Sequence, residues 1–133
     1  MKREPEARKT TTRESAPVTG IDAVFIYVED LERSIHFYRD LLGIPLGLRD
    51  GDWVEGRFPS GVRFALHQAH PGREPQTPGS VIVDFRVADL DAAATGLRAK
   101  GVRVEGQRHE AFGSLCEVFD PDGYRIQLFH PSA

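Results

Sequence analysis

The chain states one pattern twice. Val24–Gly43 reads V-F-I-Y-V-E-D-L-E-R-S-I-H-F-Y-R-D-L-L-G, and Val83–Gly101 reads V-D-F-R-V-A-D-L-D-A-A-A-T-G-L-R-A-K-G. The Asp-Leu pairs that anchor the two copies lie 89 − 30 = 59 residues apart. Before each aspartate the apolar residues alternate with a period of two. After it they recur about every 3.6 residues, the change from strand to amphipathic helix. A repeat of this kind predicts two like modules, and the fold of one module must be close to the fold of the other.

In the first copy Val24, Ile26 and Val28 share one face of the strand, while Ala23, Phe25 and Tyr27 share the other. Asp30 is placed to cap the helix by accepting an orphan amide of its first turn. Leu31, Ile35, Tyr38 and Leu42 make the apolar stripe, and Gly43 is placed to end the helix. Residues 46–52 read as a loop or short strand. Trp53–Phe58 and Val62–His67, split by Pro59-Ser60-Gly61, read as a hairpin. The second copy repeats the scheme: strand Val81–Val87, cap Asp89, stripe Leu90, Ala94 and Leu97, stop Gly101. A short extended piece then begins at Val102, a loop covers His109–Ser114, and a strand covers Leu115–Phe119. The turn Asp120-Pro121-Asp122-Gly123 leads into a last strand, Tyr124–Phe129.

The expected organisation is a flexible arm over residues 1–20, module one over 21–67, a Pro- and Gly-rich linker over 68–80, and module two over 81–131. The arm carries five Lys/Arg and three Glu and almost no large apolar residue, so it buries too little surface to offset the loss of chain entropy. It contributes +2 to a net charge of −3, which leaves −3 − 2 = −5 on the remainder. An acidic body argues against nucleic acid as the partner. Apolar runs are too short to span a bilayer, the N-terminus has no apolar signal core, and the one cysteine, Cys116, forms no intrachain disulfide. A cytoplasmic protein with no membrane partner is therefore expected. No dinucleotide or phosphate-loop fingerprint is present, and no cofactor is expected.

V-E-D-L-E-R-S-I-H-F-Y-R-D-L-L-G at 28–43, V-A-D-L-D-A-A at 87–93 and D-P-D-G-Y-R-I-Q-L at 120–128 resemble the vicinal-oxygen-chelate superfamily, the glyoxalase, bleomycin-resistance and extradiol-dioxygenase group. The resemblance covers roughly residues 21–130. It implies an α+β fold of two paired βαβββ modules in one chain, forming an open, barrel-like cleft, and commonly a homodimer. In metal-dependent members a ligand stands seven residues before each capping aspartate; here those positions are Ala23 and Ile82. The ligand before the last leucine of the ending corresponds to Gln127, and the fourth falls near Ala65. One amide does not make a site for a divalent cation, so no metal is expected. A replacement built from His67 with Asp84 or His36 is the remaining route to one.

The strand faces turned away from the helices supply the candidate ligand-binding residues: Phe25, Tyr27, Arg63, His67, Asp84, Arg86, Arg125, Gln127 and Phe129, with Trp53 as a stacking wall. The first reading is a metal-free small-molecule-binding protein resembling the antibiotic-sequestering members, dimeric, with an organic ligand in the cleft. The second is a metal-independent isomerase, cyclase or lyase. In it Asp84, His67 or Tyr27 moves a proton next to a carbonyl while an arginine steadies the anion. A third is a partner module with a closed cleft. Set against all three is the plainer expectation that Asp84 is ion-paired with Arg86, Arg63 or Arg125.

Overall fold

The computed structural model describes residues 19–78 and 82–132. The expected arm lies, but for its last two residues, outside the described residues, as do residues 79–81 of the linker and second strand. Module one runs β1 (Ala23–Val28), α1 (Leu31–Ile35), β2 (Leu48–Asp50), β3 (Trp53–Arg57) and β4 (Arg63–Gln68). Module two runs β5 (Val83–Arg86), α2 (Leu90–Ala99), β6 (Val104–Glu110), β7 (Gly113–Phe119) and β8 (Arg125–Pro131). Each is a βαβββ unit, and each makes a four-stranded mixed sheet, ordered β1-β4-β3-β2 and β5-β8-β7-β6. The inner strands pair in parallel, β1 with β4 and β5 with β8, and the rest are antiparallel. The two sheets are not closed into one barrel.

The predicted caps form. Asp30 accepts from Arg33 N–H at 3.2 Å, and Asp89 accepts from Ala92 N–H at 3.0 Å. Beyond Ile35, α1 widens into a π-helical turn over His36–Leu41, marked by Leu42 N–H bonding Phe37 O at 3.0 Å. The extra residue per turn rotates the end of the helix. Phe37 is buried beside Tyr38, and Leu42 leaves the predicted stripe to lie only partly buried.

The core is one cluster shared by both modules. Ile26, Val28, Phe64 and Leu66 from sheet one meet the α1 stripe, and Ile126, Leu128, Cys116 and Val118 meet α2. Phe64 and Phe85 pack edge to face across the junction, with centroids 5.2 Å apart. A polar tie runs alongside. The Tyr124 hydroxyl lies 2.9 Å from Tyr27 O and 2.7 Å from Gln76 Oε1, while Gln76 N–H donates back to it at 2.7 Å. The linker is thus part of the junction as well as a spacer.

Three expectations change. His109–Ser114 is not a loop: β6 runs to Glu110, only Ala111 and Phe112 turn, and β7 starts at Gly113. The alternation was hidden because β6 is a polar edge strand with a register shift between Glu105 and Arg108, where Gly106 takes a φ of 64°. The second strand begins at Val83 among the described residues and ends at Arg86, one short of the predicted end. Ala65 has the parity of the open face yet is fully buried, because Phe25 and Glu55 flank it in register.

Candidate functional site

Strand parity sorts the candidates onto the faces of the sheets turned away from the helices, called here the inner faces. On sheet one, Tyr27, His67 and Trp53 stand abreast on β1, β4 and β3, with Phe25 one pair along. Their rings form a continuous set: Phe25–Trp53 at 5.1 Å, Phe25–Tyr27 at 5.7 Å, Tyr27–His67 at 5.2 Å and Trp53–His67 at 5.9 Å between centroids. Phe25 remains 41% exposed, so the cluster is a wall open to solvent and not core. Aromatic rings held edge to face by strand backbone present a rigid, mostly apolar surface to which a planar molecule loses little by binding.

A polar strip runs beside the rings. Trp53 Nε1–H donates to Glu55 Oε1 at 2.8 Å, and Arg63 Nη1–H donates to the same oxygen at 2.9 Å. Arg63 Nη2–H reaches Asp22. The indole bond, then the Arg63 guanidinium, hold the Glu55 carboxyl below the usual range, and Asp22 with Glu55 holds Arg63 charged. The arginine is thereby neutralised by two carboxylates. Its Nε is buried with no described partner.

At the far edge, Arg73 donates to the Tyr27 hydroxyl at 3.1 Å, and His70 Nε2 lies 2.9 Å from Asp52 Oδ2. His67 Nδ1 lies 2.8 Å from Gln68 O, an oxygen that only accepts. That contact puts the proton on Nδ1 and leaves Nε2 an unprotonated acceptor in the neutral ring. Sequence reasoning missed Glu55, Arg73 and the His70–Asp52 pair. Glu55 was legible from its even spacing with Trp53; Arg73 and His70 sit in the linker, where no periodicity points.

Module two's candidates lie on the other sheet. Asp84 pairs in register with Gln127 and Arg86 with Phe129. Phe129 stacks on exposed Phe112 at 6.1 Å, and Arg125 approaches Glu117 at 3.8 Å. Asp84 and Arg86 are exposed, and among the described residues neither has an ion pair. The expected pairing of Asp84 is therefore not what forms: Arg63 is taken by Glu55 and Asp22, and Arg125 by Glu117. No described hydrogen bond or ring contact joins the two sets, so Asp84 is not brought to His67 and Tyr27 within the described contacts.

The inherited metal positions can be tested by their donors. Register places Ala23 opposite Arg63 and Phe25 opposite Ala65, and Gln127 opposite Asp84. Ala23, Ala65 and Ile82 carry no donor atom, and among the described residues no three His, Cys, Asp or Glu side chains converge. Among these positions the side chains offer one amide, that of Gln127. His36 is exposed, with its Nδ1 3.1 Å from Asp40 Oδ2, and has no described contact with His67 or Asp84.

A cavity of about 760 Å³ opens on the helix side of the module junction, between the end of α1 and α2, and three of the predicted residues, Arg63, Asp84 and Arg86, line it. No helix among the described residues is long and apolar enough to cross a membrane.

Residues 20–128 match the model of the glyoxalase/bleomycin resistance protein/dioxygenase superfamily. An uncharacterized protein of Mycolicibacterium smegmatis is 33% identical over 112 residues, 84% of this chain and 93% of the relative. A probable lactoylglutathione lyase of Synechocystis is 30% identical over 81% of this chain and 92% of its own. Among solved structures, an antibiotic-binding protein from a Streptomyces species superposes with a TM-score of 0.73 at 25% identity, covering 88% of this chain and 99% of that one. The duplicated βαβββ unit, its capping aspartates and this match over most of the length agree: the chain belongs to the glyoxalase/bleomycin resistance protein/dioxygenase superfamily.

Proposed function

We propose that this is a metal-independent small-molecule-binding protein whose ligand is a planar aromatic compound laid on the inner face of sheet one. The observation that carries the reading is the open ring set of Phe25, Tyr27, Trp53 and His67. Alanines at the family's metal positions on this sheet support it, as does the fold's likeness to an antibiotic-binding protein. The strip of Asp22, Glu55 and Arg63 carries two carboxylates to one guanidinium, which favours a ligand with a cationic group. A second copy of the chain is proposed to cover the inner faces. Exposed Phe25, Leu48, Ile82 and Phe112 belong to those faces or their rims, and exposed apolar patches mark contact surfaces. The test is a thermal-shift screen of chelator-treated protein against planar and cationic natural products. Hits that stabilise the wild type and not Tyr27→Ala support the reading; no hit in the whole panel counts against it.

A second reading rests on His67. With Nδ1 committed to Gln68 O, Nε2 is free to take a proton, and Tyr27 held by Arg73 is a ready donor beside it. This pair fits proton transfer next to a carbonyl without a metal. Once a converted compound is found, His67→Ala should lower turnover at least about a hundredfold, the usual contribution of a positioned base. Unchanged turnover in that variant removes the enzymatic reading.

A further inference from the structure

We infer that the cavity on the helix side of the module junction is a second binding site, for an apolar molecule bearing one carboxylate. Its floor is the helix-facing side of the strands, opposite the aromatic rings, and of the sheet-one residues proposed to meet the planar ligand only Arg63 borders both. Its volume of about 760 Å³ falls within the size of small-molecule sites, roughly 300–1,000 Å³. Its floor is built from residues whose parity assigns them to the core: Val24, Phe64, Val83, Phe85 and Leu128. Val83 and Phe85 are nonetheless only partly buried, because nothing described covers them. One wall is Leu41 and Leu42, swung there by the π-helical turn. The other is α2, which presents Ala93, Gly96 and Lys100 at helical spacing, two small residues and then a cation.

Gly96 is the informative residue. Glycine disfavours a helix interior, yet a Cβ built at Gly96 would meet no atom within 4 Å. No neighbour demands glycine there, and what its absence of side chain does is deepen the cavity. Lys100 at the rim has no described ion-pair partner. Arg63, Asp84 and Arg86 line the cavity as well; Arg63 is held by Asp22 and Glu55, while Asp84 and Arg86 have no described ion pair, so Lys100 and Arg86 set two cations against one carboxylate. That surplus of positive charge beside an apolar floor is complementary to an alkyl or aryl carboxylate, the chain lying on Phe58, Phe64 and Phe85 and the carboxylate meeting the Lys100 ammonium.

Decanoate below its micellar concentration is the probe, measured by titration calorimetry on the full chain. Expected are one decanoate per chain, loss of binding in Gly96→Leu, and an affinity about fivefold to tenfold lower in Lys100→Gln, as for one partly screened ion pair. Leucine suits a helix better than glycine, so Gly96→Leu should fold; Ala93→Leu is the second filling variant, with the same expected loss. Tyr27→Ala should bind decanoate like the wild type, because it alters only the other face. Four results would each overturn the inference: no saturable binding, binding that survives both filling variants, an affinity indifferent to Lys100, or loss of binding in Tyr27→Ala. A change from dimer to monomer in Gly96→Leu would also overturn it, by giving the groove to a second copy.

Discussion

Trp53 joins the aromatic wall to the charged strip through one bond, its indole N–H on Glu55. That bond is formed by the carboxylate, and with Arg63 it lowers the Glu55 pKa beneath its ordinary value of 4.5. The sign follows. A depressed carboxyl contributes stability that is present above its unfolded pKa and lost as pH falls through the folded one. Acid titration of Trp53 emission should therefore show a transition with its midpoint below 4.5, absent in Glu55→Gln. A midpoint at or above that value would contradict the bond. One glycine is as constrained as the aromatic residues. A Cβ on Gly56 would stand 2.0 Å from Pro45 O, a backbone atom that cannot swing away. Gly56→Ala should destabilise by about 3 kcal/mol or more, in the range of overpacked cores. Denaturant unfolding with no loss of midpoint would show that the strand shifts freely.

The elements hold together through a buried contact between α1 and the β7–β8 turn. The Tyr38 hydroxyl donates to Asp120 Oδ2 at 2.6 Å, and Asp120 Oδ1 accepts from the amides of Asp122 and Tyr124 at 2.9 and 2.8 Å. Burial, reinforced by the Asp120 charge, raises the tyrosine well above its usual value; burial also raises Asp120. Tyr38→Phe leaves one buried carboxylate oxygen unpaired and should cost about 2 kcal/mol, while Asp120→Ala strands a hydroxyl and two amides and should cost about 4 kcal/mol. Equal small effects in both would show water taking the place of the bond. The contact explains the order of the signals in the chain: D-P-D-G-Y at 120–124 is both a turn and the partner of Tyr38. At this scale strand, cap and helix were legible, because alternation and the two Asp-Leu caps are local. The π-helical turn and the bulge at Gly106 were not, since each inserts one residue that breaks the period being read.

For the whole molecule, the repeat announced two βαβββ modules, and the modules are there. Which strand faces turn away from the helices was legible too, from parity alone. What parity could not supply is contact across the gap. Asp84 and Arg86 stand on sheet two with no described contact to the ring set of sheet one, and the residues that complete that set, Arg73 and His70, come from the linker. If a second copy covers the inner faces, Phe25→Asp with Phe112→Asp should shift the sedimentation coefficient from dimer to monomer. A wild-type chain that sediments as a monomer at high concentration would contradict that arrangement.

The central claim is that the ring set on sheet one holds a planar ligand, and the chain contains its own reporter, since Trp53 is its single tryptophan. Titrating a planar aromatic hit while recording Trp53 emission is the most direct measurement. Saturable quenching with the same midpoint as the thermal shift, and weakened at least about tenfold in Tyr27→Ala, is the predicted result. A hit that stabilises the protein while leaving Trp53 emission unchanged would place the ligand elsewhere and contradict the account.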